Sequence, residues 1–345
     1  MIRSLRGDRM FDILLEKQDK IIFRLFQYLQ KNNPCSLKKA ANQLNLKPKS
    51  LKRYITLWQQ EGSNFSTGIS FYIKDQMIRA IYSQESAQLF LSVLLNRSFS
   101  FQLLVKILEQ PFCTFKSLEN KFYISKATMQ RRIQKMKPLL QHYGLSISFV
   151  TAPILTGNEI QLRYFSLLVS LLYDPPLLWN SQVLFDRYEE TQQYRIGQGF
   201  KLKKTKPAIT NPYYPIPFQI DDTSLLFLWR QFSGLETIWL DSSLTESINF
   251  ALHAYTNLSE LSIITLAQKL HRLHSLCSFY SGSLFVAYDP FFIMKNSERL
   301  IQSFTKLLPH YQQLLAKHPE LPCFYESLLQ HDLHNKNSEQ IISED

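Results

Sequence analysis

Residues 114–143 read TFKSLENKFYISKATMQRRIQKMKPLLQHY, and this pattern predicts a helix, a tight turn and a second helix. In the second helix Met129, Ile133 and Met136 recur at helical spacing, which predicts one buried face. Arg131 lies about 200° round the helix from Met129, so its side chain is predicted to point away from the core. The second helix is therefore predicted to carry a basic and polar outer face.

That outer face has the residue types that a helix in the DNA major groove requires. An arginine can bind guanine through two hydrogen bonds, and a lysine can neutralise a phosphate. A solvent-exposed helix face without a partner is the alternative interpretation of the same pattern. The predicted DNA contacts on this helix are Ser125, Lys126, Thr128, Arg131, Arg132 and Lys135.

The same pattern occurs 78 positions earlier in the chain. Arg53 falls on Arg131 and Ser50 falls on Thr128, so the outer face repeats. The buried positions repeat as well: Leu46 with Ile124, Leu51 with Met129, Ile55 with Ile133, and Trp58 with Met136. Agreement on both faces indicates two copies of one unit. The predicted DNA contacts on the first copy are Lys49, Ser50, Lys52 and Arg53.

A short run of alternating apolar residues follows each helix pair. The runs are GISFYIK at 68–74 and LSISFV at 145–150, and such alternation predicts the first strand of a β-hairpin. Two helices followed by a hairpin is the order of a winged helix-turn-helix domain. The sequence therefore predicts two tandem domains of this type that bind double-stranded DNA.

The charge of the chain is unevenly distributed. Residues 1–160 carry 24 Lys and Arg against 10 Asp and Glu, a formal +14, whereas residues 161–345 carry 15 against 18, a formal −3. A basic soluble domain without a nucleic-acid partner is one interpretation of this excess. Because the positive half is the half with the repeat, we expect a polyanionic partner there.

The length of 345 residues and the hydrophobic content of 45% allow more than one core. The apolar period from Met10 to Lys31 predicts a supporting helix before the first pair. The predicted fold is mainly α with small β-hairpins. Its predicted domains are two winged helix-turn-helix domains at 10–83 and 84–160, an all-α regulatory domain at 161–285, and a partial second helical domain with a polar tail at 286–345.

The cysteines and the apolar stretches predict a cytoplasmic protein with no membrane span. The four cysteines are widely spaced and include no C-x-x-C pair, so we expect no disulfide framework. The N-terminus has no apolar signal core, and no apolar run approaches the roughly 20 residues that a membrane-spanning helix needs.

The second unit resembles a known family. ISKATMQRRIQKMKPLLQHYGLSIS at 124–148, followed by PILTGNEIQLRYFSLLVSLLYD at 153–174, is similar to the second DNA-binding region of the Mga family of Gram-positive transcription regulators. The shared motifs are S-x-x-T/S in the second helix, a G-L strand start, G-x-E in the hairpin and an Arg near the start of the next helix. The resemblance runs from residue 10 to about 330 and is weaker after 180.

The resemblance implies a transcription regulator, and we expect an activator that forms a homodimer or higher oligomer. It also implies phosphotransferase-system proteins and RNA polymerase as partners, and regulation by phosphorylation of histidines in the helical half. His253, His271 and His274 lie in predicted helices and are the candidate phosphorylation sites. We expect this chain to lack the family's C-terminal domain similar to enzyme IIB.

Two other functions compete with DNA-dependent regulation. A plasmid replication initiator can also carry tandem winged helices, although the helical half disfavours it. An enzyme is not expected, because the chain has no G-x-x-x-x-G-K-[ST], G-x-G-x-x-G or H-E-x-x-H motif, and we predict neither catalytic residues nor a cofactor. His271, His274 and Cys277 are three residues apart, but such spacing on one helix directs at most two ligands to a metal, so no metal site is predicted.

Overall fold

The computed structural model describes residues 11–62, 68–150, 152–175, 181–202, 220–233, 246, 248–250, 252–253, 260–282, 305–306, 311–318 and 321. These residues are mainly helical and include two small antiparallel sheets, which confirms the predicted mainly α fold with small β-hairpins. Most of the predicted domain at 286–345 lies outside the described residues. The predicted domain boundaries stay predictions.

The first unit follows the predicted order of helices and hairpin. Its elements are a 3-10 helix at Asp12–Leu14, α1 at Lys17–Lys31, β1 at Cys35–Ser36, α2 at Leu37–Gln43, α3 at Pro48–Gly62, β2 at Ser70–Lys74 and β3 at Met77–Ile81. The supporting helix is shorter than predicted, because the backbone is extended at Leu15 and Glu16, with ψ of 150° and 157°. This break lets Leu14 and Leu15 both turn into the core.

The first hairpin is anchored beside α3. Asp75 and Gln76 form its two-residue turn, and both have the positive φ, 49° and 59°, that favours a tight hairpin. β3 pairs with β2 on one side and with β1 on the other, all antiparallel. The side chain of Gln59 in α3 donates a hydrogen bond to Phe71 O in β2 at 2.6 Å. The hairpin is therefore held in place against the second helix of the pair.

The second unit repeats this arrangement. Its elements are α4 at Gln84–Arg97, α5 at Phe99–Glu109, α6 at Phe115–Phe122, α7 at Lys126–His142, β4 at Ser146–Ile147 and β5 at Leu155–Thr156. Thr114 and Ser117 form a capping box that starts α6, and Ser125 caps α7 by accepting from the Thr128 backbone N–H. Hydroxyl residues thus fix the start of both helices in the pair.

The two turns inside the helix pairs have the same backbone geometry. Asn45 and Tyr123, which are 78 residues apart, both adopt a left-handed conformation with φ of 53° and 51°. Equivalent hydrogen bonds close the turns: Leu46 N donates to Ala41 O at 2.9 Å, and Ile124 N donates to Glu119 O at 3.4 Å. The sequence repeat is therefore also a structural repeat.

The described part of the other half is helical, with α8 at Glu159–Tyr173, α9 at Ser181–Gly197, α10 at Asp222–Ser233, α11 at Glu260–Phe279 and α12 at Tyr311–Lys317. α8 packs against α4, α5 and α9. Arg163 on α8 is fully buried, and its guanidinium donates to Asp222 at 2.6 Å and to Glu159 at 3.1 Å. These charge-assisted hydrogen bonds offset the cost of burying the cation.

The N-terminal segment joins the first unit to the second. The ring of Phe11 lies 6.1 Å from that of Tyr143 and 6.3 Å from that of Phe165. Ser98 Oγ donates a hydrogen bond to Leu14 O. Buried residues of both units therefore belong to one continuous core.

Among the described residues, no single helix is long and apolar enough to cross a membrane. Leu89–Arg97 and α5 together are long and apolar enough to cross a membrane, but a bend of 86° separates them. In this structure Phe90 and Leu104 of that pair are buried in the core.

Candidate nucleic-acid interface

The second helix of each pair, which we call its recognition helix, has one buried and one exposed face. In α3, the first recognition helix, Leu51, Ile55 and Trp58 are at most 1% exposed. Four predicted contacts lie on its other side: Lys49, Lys52 and Arg53 are exposed and Ser50 is half-buried. This placement leaves the cations accessible to a DNA groove, and DNA contact itself stays a prediction.

The second recognition helix, α7, presents Lys126 and Arg131 to solvent. Arg131 Nη2 donates to Thr128 Oγ1 at 3.3 Å, and Ser125 Oγ donates to the same hydroxyl at 3.1 Å. The guanidinium is therefore held near the N-terminal end of α7, which is the end that contacts base edges in helix-turn-helix proteins. The α7 sequence contains no acidic residue that would repel phosphate.

Two cations that are predicted to contact DNA contact the first unit in this structure. Arg132 Nη1 lies 2.7 Å from Glu16 Oε1, and its guanidinium carbon is 5.8 Å from the centre of the Phe99 ring. Lys135 Nζ donates to Leu15 O at 3.0 Å. The segment before α1 therefore lies against the side of α7 that carries Arg132 and Lys135, and their contact with DNA stays a prediction.

Burial changes the acid–base behaviour of Lys135. Removal from water lowers the pKa of its ammonium group, and repulsion from Arg132 and Lys20 lowers the pKa further. Attraction by Glu16 opposes this shift. The positive charge of Lys135 is therefore less well stabilised by its surroundings than the charge of an exposed lysine is by water.

A groove of about 940 Å³ separates α7 from the second hairpin. Lys126, Arg131 and Lys137 line its helical side, and Phe149 and Val150 line its hairpin side. Cations beside apolar surface suit a nucleic-acid strand, whose phosphates and sugars need both kinds of contact. The groove therefore extends the basic surface from the recognition helix towards the hairpin.

Sequence reasoning missed several residues of this surface. Gln130 and Gln134 are exposed and follow Lys126 at intervals of four, so the three share one face of α7. Glutamine can bind adenine through two hydrogen bonds. The four-residue interval from Lys126 to Gln130 and Gln134 is the sequence signal that places them on this surface.

The structure separates the three candidate phosphorylation sites. His271 and His274 are 0% exposed, whereas His253 is exposed. Burial, together with the nearby charge of His271, lowers the pKa of His274 to about 3. A phosphoryl donor must reach a ring nitrogen, and in this structure His253 is exposed to solvent whereas His271 and His274 are not. Phosphorylation of all three histidines stays a prediction.

The metal half-site considered for α11 is part of the core. Cys277 is buried, and its backbone carbonyl accepts a hydrogen bond from His318 Nε2 at 2.8 Å. Within the described residues, no group of three or more His, Cys, Asp or Glu side chains is arranged to hold a metal ion.

Comparison with known proteins identifies the second unit. Residues 83–169 match a family model described as the Mga helix-turn-helix domain, a range that contains α4 to α7 and most of α8. No curated protein matches the chain. The match supports a DNA-binding transcription regulator and does not favour a replication initiator. Residues 83–169 are thus similar to the Mga helix-turn-helix domain, which supports membership of the chain in the Mga family.

Proposed function

We propose that the chain is a transcription regulator that places both recognition helices, α3 and α7, in major grooves of double-stranded DNA. The observation that carries the proposal is the structural repeat. Arg53 and Arg131 occupy equivalent exposed positions on helices that follow turns of the same left-handed geometry. Each arginine is suited to bind a guanine, and the lysines beside it are suited to bind phosphates.

We propose further that the two hairpins act as wings that contact the DNA backbone. Lys74 and Arg79 are exposed on the first hairpin. The second hairpin shares a groove with the cationic side of α7. A cation on a wing would bind phosphate without reading sequence, so these contacts would position the recognition helices.

The helical half would then regulate DNA binding or transcription in the cytoplasm, without enzymatic activity of its own. Activation, self-association, and contact with phosphotransferase-system proteins and RNA polymerase are the family properties that we carry into this proposal. Among the candidate histidines, His253 has the exposure that phosphorylation requires. Phosphorylation would add negative charge to a helix surface and alter its contacts.

Genome-wide occupancy of the full-length chain tests this function. We expect occupancy upstream of several transcription units, with altered transcript levels when the chain is deleted. Occupancy confined to one replication origin, with loss of plasmid maintenance on deletion, would instead support the initiator.

Regulation through histidine is tested separately. Replacement of His253 by Ala should change target-gene output in response to phosphotransferase activity, whereas a variant at an exposed residue of another helix, Gln182→Ala, should not. An unchanged response in the His253 variant would remove this residue from the proposal.

A further inference from the structure

A cleft of about 290 Å³ lies between the first unit and the second recognition helix. Leu15, Ile21 and Leu44 form its apolar lining. Its cationic lining comes from both units: Lys17, Lys20 and Arg24 lie on α1, and Lys135 lies on α7.

Nearby carboxylates only partly balance this positive charge. Asp12 pairs with Lys20 Nζ at 2.8 Å and with Arg24 Nη2 at 2.9 Å. Four cations against this one carboxylate give a formal +3, and the pair of Glu16 with Arg132 adds no net charge. The lining of the cleft therefore carries an excess of positive charge.

Two features of this charge oppose the stability of the folded chain. Lys17 and Lys20 lie with one carboxylate, Asp19, in the first turn of α1, where the helix dipole disfavours positive charge. Lys135 is half-buried, and its ammonium group donates to a neutral carbonyl oxygen, Leu15 O, at 3.0 Å. An anion in the cleft would interact favourably with all three ammonium groups and with the positive end of the helix dipole.

We propose that this cleft binds a phosphate group, which bridges α1 of the first unit and α7 of the second. A phosphate has enough acceptor oxygens to receive hydrogen bonds from several lysines and from the arginine fork at once. The group belongs either to the DNA backbone between the two recognition helices or to a small phosphorylated molecule. The first source rests on the proposed function, and the second does not.

The DNA source is tested with full-length Lys17→Gln and its matched control, Lys31→Gln. Both lysines are exposed, and they lie at opposite ends of α1. Loss of one phosphate contact should reduce the slope of log affinity against log salt by about 0.9. We expect this reduction, with equal weakening on matched and scrambled DNA, in Lys17→Gln and not in Lys31→Gln.

The small-molecule source is tested without DNA. Thermal unfolding is followed as inorganic phosphate replaces chloride at constant ionic strength. The wild type and Lys31→Gln should gain in Tm with a saturable dependence on phosphate, and Lys17→Gln should gain less.

The two arms separate failure of the cleft from failure of the proposed function. A Lys17 effect in the DNA arm assigns the site to the DNA backbone, and an effect in the phosphate arm alone assigns it to a small phosphorylated molecule. If the wild type does not bind DNA but its phosphate response depends on Lys17, the proposed function fails and phosphate binding in the cleft is still supported. If the wild type binds DNA with a steep salt dependence and Lys17→Gln equals Lys31→Gln in both arms, the cleft proposal is overturned.

Discussion

Asn45 and Tyr123 hold the same left-handed backbone conformation, with φ of 53° and 51°, in the turns before the two recognition helices. Asparagine adopts this conformation readily, whereas a bulky aromatic residue does so at a cost. Tyr123 is also 94% exposed, so packing contributes little to offset that cost. The second turn therefore carries backbone strain that the first turn avoids.

Replacing Tyr123 with Asn should raise the free energy of unfolding, by up to about 1 kcal/mol, because Asn lowers the cost of the left-handed turn. Urea unfolding of the full chain measures this change. The matched variant Asn45→Tyr should lower the same free energy. A stability loss in Tyr123→Asn would show that the phenol side chain contributes more than its exposure indicates.

Replacing Lys126 or Lys49 with Ala should weaken binding to all DNA sequences alike. Both side chains are exposed near the starts of their recognition helices, where a lysine can neutralise a phosphate without reading a base. Binding to matched and scrambled sites across a salt series measures the effect. Lys201→Ala, an exposed change in the helical half, serves as the control. A loss confined to one sequence would assign a base contact to the lysine.

Replacing Arg132 with Ala should leave base preference unchanged, because its guanidinium pairs with Glu16. The pair is partly exposed, so its loss should lower the free energy of unfolding by roughly 0.2–1 kcal/mol. A double-mutant cycle with Glu16→Gln checks whether the two changes act through one contact. Altered preference at particular base pairs would show that Arg132 contacts bases.

The stability of the helical half should fall as pH drops from about 6.5 towards 3. Burial lowers the pKa of His274 in the folded chain to about 3, from the ordinary histidine value of 6.5. In this window the unfolded chain binds a proton at His274 and the folded chain does not, so acid favours unfolding. The loss attributable to His274 should be on the order of a few kcal/mol over the full window.

Urea unfolding of the wild type and of His274→Asn between pH 4 and 8 isolates this contribution. The variant should lose less stability than the wild type over the same pH interval, whatever its stability at pH 8. Parallel pH dependence in the two proteins would contradict the depressed pKa.

The helix-turn-helix units were predictable because their signals are local. The apolar interval from Met129 to Met136 determines which face of α7 is buried, and the same interval from Leu51 to Trp58 identifies the first copy of the unit. The contacts of Arg132 with Glu16 and of Lys135 with Leu15 were not predictable, because their partners lie 116 and 120 residues away. The sequence of one helix indicates which side faces away from its own core, but not which distant segment packs against that side.

The histidines of α11 show the same limit. Apolar residues such as Leu270 and Leu273 surround His271 and His274 in sequence, and all four are buried. A helix enclosed on several sides has no polar face that marks its exposed residues. The sequence of α11 therefore did not indicate that His271 and His274 lie in the core.

The central claim is that both recognition helices read DNA sequence, and the base-preference profile of the full chain tests it most directly. The profile is determined from a randomised DNA library for the wild type, Arg53→Ala and Arg131→Ala, with folding checked by circular dichroism. Each variant should lose preference at its own cluster of base pairs, at a cost of about 1–3 kcal/mol, and Arg131→Ala should cause the larger loss. Unchanged profiles in both folded variants would contradict the claim.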